Sequence, residues 1–168
     1  MHKINRFGSY ILLLLAVVLE STIFYRVKLL GAQPDILLIS VLFLGLYSEH
    51  RYAVEMGMTA GLLRDIVSTG PFGANLVLFG ITGYLASAHS NKIYKEYPLS
   101  QIILTMSAAA FLYFGFLNLK ILSAGKSLSD FYEGLKNIVI PAVFYTSLVS
   151  PPVFFVLRHL FKPMTRNL

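Results

Sequence analysis

The chain has 168 residues, 56% of them hydrophobic and 13% charged, with a mean hydropathy of +0.68. Soluble domains carry about 25% charged residues, so this balance excludes an ordinary soluble globule and points to the bilayer. The net charge of +6 would suggest nucleic acid in a soluble chain but here reflects membrane topology, and the absence of cysteine excludes disulfides, thiolate catalysis and cysteine metal sites.

Apolar runs separated by polar or turn residues predict an all-α integral membrane protein, one domain over 1–168. The expected spans lie near 8–28, 34–48, 52–68, 74–90, 98–120 and 138–160. The first follows a basic start (His2, Lys3, Arg6) that superficially resembles a signal peptide. No small-x-small cleavage site follows Tyr10–Leu19, so the segment reads as an uncleaved helix carrying Glu20. Pro34 fits the first turn of the second helix, with Asp35 beside it, and Pro98 does the same for the fifth.

The third helix holds Gly57, Gly61, Arg64 and Asp65 in an otherwise apolar run, then turns on Gly70-Pro71-Phe72-Gly73. Gly57 and Gly61 form a small-residue face that lets another backbone approach, and Asp65 continues that stripe at i+8. Buried near mid-membrane, Arg or Asp costs about 2.5–3.5 kcal/mol each, so both require partners. The fourth helix opens with Ala74-Asn75, and the fifth ends with Asn118 and Lys120. A short outer interfacial helix is expected near 128–136, from the spacing of Leu128, Phe131, Tyr132 and Leu135. In the last helix Pro151-Pro152 should kink the axis and free backbone carbonyls, with Pro141 a further proline near its start.

Alternation of direction alone delivers Glu20, Asp35, Arg64, Asp65, Asn75, Asn118 and Lys120 to one membrane half. Arg64 is expected to pair with Asp35 or Glu20. Asp65 is expected to pair with Lys120 or with N–H groups at the start of the fourth helix, where a helix N-terminus favours an anion. The cluster is read as structural or partner-binding. Lys3, Arg6, Arg51, Lys92, Lys95, Arg158, Lys162 and Arg166 outnumber Arg26, Lys28, Lys120, Lys126 and Lys136 at the opposite ends, which sets both termini in the cytoplasm and the polar layer outside. His2, His50, His89 and His159 fall on separate cytoplasmic ends, an interfacial placement rather than a metal site. No Ser-His-Asp set, phosphate loop or metal-ligand spacing appears, so no catalytic, cofactor or metal site is expected.

Pro34-Asp35-Ile36-Leu37-Leu38 followed by Gly57-x3-Gly61-Leu62-Leu63-Arg64-Asp65-Ile66-x-Ser68-x-Gly70-Pro71-Phe72-Gly73-x-Asn75 resembles the MreD family of bacterial rod-shape-determining membrane proteins. The motifs cover about residues 33–90; size and helix count agree over the rest. The resemblance implies a non-enzymatic scaffold of the elongasome in the cytoplasmic membrane. It implies binding to MreC, indirect links to MreB and the RodA–PBP2 synthase, and support of lateral peptidoglycan synthesis, with no cofactor. The family is also similar in fold to the S-components of energy-coupling-factor vitamin transporters, so small-molecule uptake is the alternative. Against it, the Ala-x-x-x-Ala docking face of those proteins is missing here, since Ile11–Leu19 holds only Ala16.

Overall fold

In the computed structural model, residues 6–24, 33–68, 70–91, 94–124 and 128–161 are described, and they contain helices and turns but no strand. Helix α1 (Arg6–Leu19) runs on into a π-helical turn, Glu20–Phe24. It is followed by α2 (Ile36–Leu46), α3 (His50–Val67), α4 (Ala74–Ala88), α5 (Pro98–Ala124), α6 (Leu128–Gly134) and α7 (Ile140–Leu160). Lys3, Arg26, Lys28, Lys92, Lys126, Lys162 and Arg166, all used to orient the chain, lie outside the described residues, as does His2.

Helix α2 is the axis of the fold. Every residue from Leu37 to Leu46 is buried, because α1, α3, α4 and α7 surround it. A helix apolar all round is stable only when enclosed, which also explains how one of 11 residues can be so hydrophobic. Asp35 caps it by accepting from Leu38 N at 2.8 Å. Pro34 therefore precedes the cap and is not in the first turn, as the sequence suggests. Pro98 does open α5.

Helices α3 and α4 touch backbone to backbone. A Cβ on Gly57 would lie less than 3.0 Å from the Phe79 carbonyl, one on Gly61 equally close to Asn75, and one on Gly83 equally close to Ala53. The connecting turn needs glycine for a second reason: Gly73 has φ +90°, a left-handed conformation that other residues resist. Gly70 abuts the Phe116 ring, and the Pro71 carbonyl accepts from Ala74 N at 3.2 Å.

Helices α5 and α7 form a second packed pair. Two stretches here are long and apolar enough to cross a membrane, Pro98–Ser123 and Ser129–Leu160, whereas α2 and α4 are apolar but shorter. The expected separate interfacial helix is instead continuous with α7 through a π-helical turn, Leu135–Val139. That wide turn sits where Pro141 lacks an N–H and its ring would crowd the carbonyl of Asn137. Further along, Pro151 leaves the Ser147 carbonyl without its helical donor, and Ser150 Oγ donates to it at 2.8 Å. The periphery is apolar: Phe7, Leu14, Leu15 and Val18 on α1, Ile103 and Leu122 on α5, and Phe144, Leu148 and Phe155 on α7 are all exposed. Polar side chains such as Ser40, Thr82, Thr146, Ser147 and Ser150 are instead buried.

Candidate functional site

Ionic side chains converge at the end of the bundle where α1 ends and α2 begins. Arg64, in the last turn of α3, donates from Nη1 to Glu20 Oε1 at 2.6 Å and to Asp35 Oδ1 at 3.4 Å. Its Nη2 donates to Asp35 Oδ2 at 3.2 Å, so the guanidinium fork meets Asp35 through both nitrogens. Asp35 is fully buried and Glu20 is 5% exposed. The Tyr113 hydroxyl of α5 donates to Asp35 Oδ2 at 3.0 Å, and Asp35 N donates to Thr146 Oγ1 of α7 at 3.1 Å. Five helical segments meet at this one carboxylate and its guanidinium.

Asp65, one residue on, points elsewhere. Its Oδ2 accepts from Gly73 N and Leu76 N, both at 3.0 Å. Its Oδ1 accepts from Asn75 N at 3.2 Å and from Asn75 Nδ2 at 2.9 Å. The carboxylate thus seals the N-terminus of α4, whose first amides have no intrahelical acceptors.

Of the residues named from sequence, Glu20, Asp35 and Arg64 form one group, and Asp65 and Asn75 form a second beside it. Gly57, Gly61, Gly70, Pro71 and Gly73 shape the α3–α4 hairpin, and Pro34 is buried next to the Asp35 cap. Asn118 and Lys120 belong to neither group. Both are exposed; Asn118 donates to Phe114 O of its own helix at 2.7 Å. On α5 it is Tyr113, not Asn118 or Lys120, that stands level with Asp35, and the helix runs on to Ala124. Relative to Tyr113, Asn118 is turned roughly 140° around the axis and Lys120 lies about 10 Å farther along it. Tyr113 and Thr146 were missed: each is an isolated hydroxyl in an apolar helix, and no spacing distinguishes it from an interfacial tyrosine or an internally bonded threonine.

The opposite end is held by a different set of contacts. His50 Nδ1 lies 2.7 Å from Ser87 Oγ, which donates to Ser48 O at 2.9 Å. The Tyr10 hydroxyl meets Glu55 at 2.5 Å. The Lys95 carbonyl accepts from Arg158 at 2.7 Å and from Gln101 at 2.8 Å, which ties the α4–α5 loop to α7. Partial burial lowers the Lys95 ammonium below the ordinary lysine range, and it sits 4.9 Å from the Tyr47 ring centroid. Arg158 also faces Glu96 at 3.8 Å, a pair worth little because Glu96 is largely in solvent.

A family model described as rod shape-determining protein MreD matches residues 1–163. The chain belongs to the MreD family. No curated protein and no solved structure matches it significantly. MreD membership ties the chain to the determination of rod cell shape, within the MreB–MreC–MreD system of membrane-associated partners. MreD proteins are structural, shape-determining proteins not known as enzymes, and the apolar helices described above are those of a membrane protein.

Proposed function

We propose that this chain is a non-enzymatic scaffold of the wall-elongation machinery. It spans the cytoplasmic membrane six times with both termini inside, binds MreC directly, and through it serves MreB and the RodA–PBP2 synthase in lateral peptidoglycan synthesis. The observation that carries the reading is the MreD family match over residues 1–163. The geometry supports it. In the polar layer the carboxylates of Asp35 and Asp65 are each taken up by several intramolecular donors, which suits a bundle built to hold a shape. The apolar faces of α1, α5 and α7 suit lipid and partner helices.

Affinity purification from mild detergent, with mass spectrometry of the co-purified proteins and small molecules, tests the proposal. MreC and wall synthases are expected with the wild-type chain, and MreC is expected to be lost with Asp65→Leu, whose hairpin is no longer sealed. Co-purification of an ATPase coupling module or a bound vitamin, with no MreC, would instead establish the uptake function. Retention of MreC and of rod shape by a folded Asp65→Leu chain would remove the sealed hairpin from the interface.

A further inference from the structure

Two cations converge on one tyrosine at the end of the bundle opposite Arg64. Lys95, in the loop between α4 and α5, holds its ammonium 4.9 Å from the ring centroid of Tyr47, which caps the C-terminus of α2. Arg158, in the last turn of α7, brings Nη2 to 3.5 Å from the Tyr47 hydroxyl. The same nitrogen donates to the Lys95 carbonyl at 2.7 Å. Gln101 Nε2 donates to that carbonyl at 2.8 Å, so the loop is fixed against both α5 and α7. These charges have little to balance them. Arg158 Nη1 faces Glu96 at 3.8 Å, and the Glu96 side chain is 84% exposed. Lys95 is only half exposed and pairs with no carboxylate. All eight acidic side chains of the protein lie among the described residues, so the undescribed segments hold none that could serve. Alternation of the helices puts eight lysines and arginines at this end, against Glu49, Glu55 and Glu96 alone.

A cation partly withdrawn from water without a counterion is unstable, and two held close together repel. The face of Tyr47 offsets only part of that cost. We propose that Lys95 and Arg158 hold the phosphate of an anionic phospholipid in the bilayer leaflet at this end. A guanidinium suits a phosphate through two of its nitrogens, and an ammonium adds a point charge. Arg158 can turn Nη1 to such a ligand, because its present contact with Glu96 is long and open to solvent. The surroundings mark the headgroup level. Tyr94 and Tyr97 flank Lys95 in the sequence, are 75% and 64% exposed, and pack edge to face at 5.8 Å. Exposed tyrosines of this kind form the interfacial belt of a membrane protein. The same loop closes one end of an apolar groove between α4 and α5. His89 and Ser100, on either side of the loop, line that groove together with Leu42, Leu104 and Phe111. Apolar surface for acyl chains and charge for a phosphate thus border one loop, which favours a lipid over a free phosphate. The bound headgroup would tie the ends of α2 and α7 to the α4–α5 loop. The site depends on this chain alone and stands whether or not the scaffold reading does.

The test uses the purified chain in phosphatidylcholine nanodiscs, heated with and without added phosphatidylglycerol at constant ionic strength. Phosphatidylglycerol should raise Tm saturably by a few degrees, as expected for a ligand that binds only the folded state. Native mass spectrometry of chains released from the discs should show one phosphatidylglycerol retained on each. Lys95→Gln should lose most of both responses, yet be at least as stable as the wild type in phosphatidylcholine alone, since an unpaired charge is gone. A lysine with a purely structural role would instead lower Tm there when removed. Arg51→Gln removes an exposed charge at the same end and should leave both responses near the wild type. Glu96→Gln removes the carboxylate that competes for Arg158 and should strengthen both, whereas Glu49→Gln, at an exposed acid of the same end, should not. That pair carries the test if Lys95→Gln fails to fold. Equal Tm with and without phosphatidylglycerol would overturn the proposal. So would equal effects of Lys95→Gln and Arg51→Gln, or of Glu96→Gln and Glu49→Gln, which would reduce the response to diffuse attraction by a basic surface. The same rise with inorganic phosphate in pure phosphatidylcholine discs would assign the cations to a soluble anion and overturn the lipid.

Discussion

Arg64 and Asp65 are chain neighbours that face the same burial problem and solve it in opposite ways. Asp65 takes its four hydrogen bonds from Gly73, Asn75 and Leu76, none more than 11 residues away. It needs no countercharge, because the dipole and free amides at the start of α4 supply the positive potential. Arg64 reaches instead to Asp35 and Glu20, 29 and 44 residues away, and Asp35 in turn engages Tyr113 and Thr146. The first solution belongs to a hairpin and the second to the whole bundle. A helix of alternating faces can thus serve two levels of the fold at once, one residue closing local structure while the next ties it to distant helices.

The largest expected effect comes from breaking the distant solution. Arg64→Leu leaves Asp35 and Glu20 buried without a cation, a loss of about 3–5 kcal/mol by analogy with severed buried ion pairs. Reversible unfolding in mixed micelles would measure it. Arg64→Lys should recover part of the loss, since the charge returns but the two-pronged contact with Asp35 does not. If Arg64→Leu is as stable as the wild type, the ion group contributes no stability and the contrast with Asp65 fails.

Asp65→Asn is the matching change on the local side. It keeps one carbonyl acceptor and loses the charge, so the expected cost is smaller, about 1–3 kcal/mol. The location of the damage sharpens the contrast more than its size. The chain has no native cysteine, so Phe72→Cys provides a single label site in the exposed turn of the hairpin. Asp65→Asn should speed labelling there several-fold under native conditions. Arg64→Lys should leave that rate near the wild-type value. Equal acceleration by both would mean that the hairpin and the ion group open together.

The sequence made the local solution easier to read than the distant one, for a physical reason. Helix direction alternates, so the depth of Glu20, Asp35, Arg64, Asp65 and Asn75 follows from counting residues along each run. The partners of Asp65 follow too, because Gly70-Pro71-Phe72-Gly73 must return the chain beside it. For Arg64 the sequence offers two carboxylates, and the fold uses both. Rotation about each helix axis is another matter: it depends on neighbours that periodicity does not name. In α5, whose buried and exposed positions are both apolar, nothing marks Tyr113 as inward or Asn118 as outward. The run from α6 into α7 was hidden for a related reason, since Pro141 reads as a helix start until a π-helical turn is seen to absorb it.

The smallest change probes whether the ion group acts as a unit. Tyr113→Phe removes one of the donors to Asp35 and leaves the fork of Arg64 and the Leu38 amide in place, so about 1 kcal/mol should be lost. Combined with Arg64→Lys, the double variant should depart from additivity, because both changes strip donors from the same buried carboxylate. Combined with Asp65→Asn, it should be additive, since Tyr113 and Asp65 share no partner. A double-mutant cycle by equilibrium unfolding measures both terms. Coupling confined to the Arg64 pair would establish the adjacent charges as members of two separate networks; equal coupling to Asp65 would merge them into one.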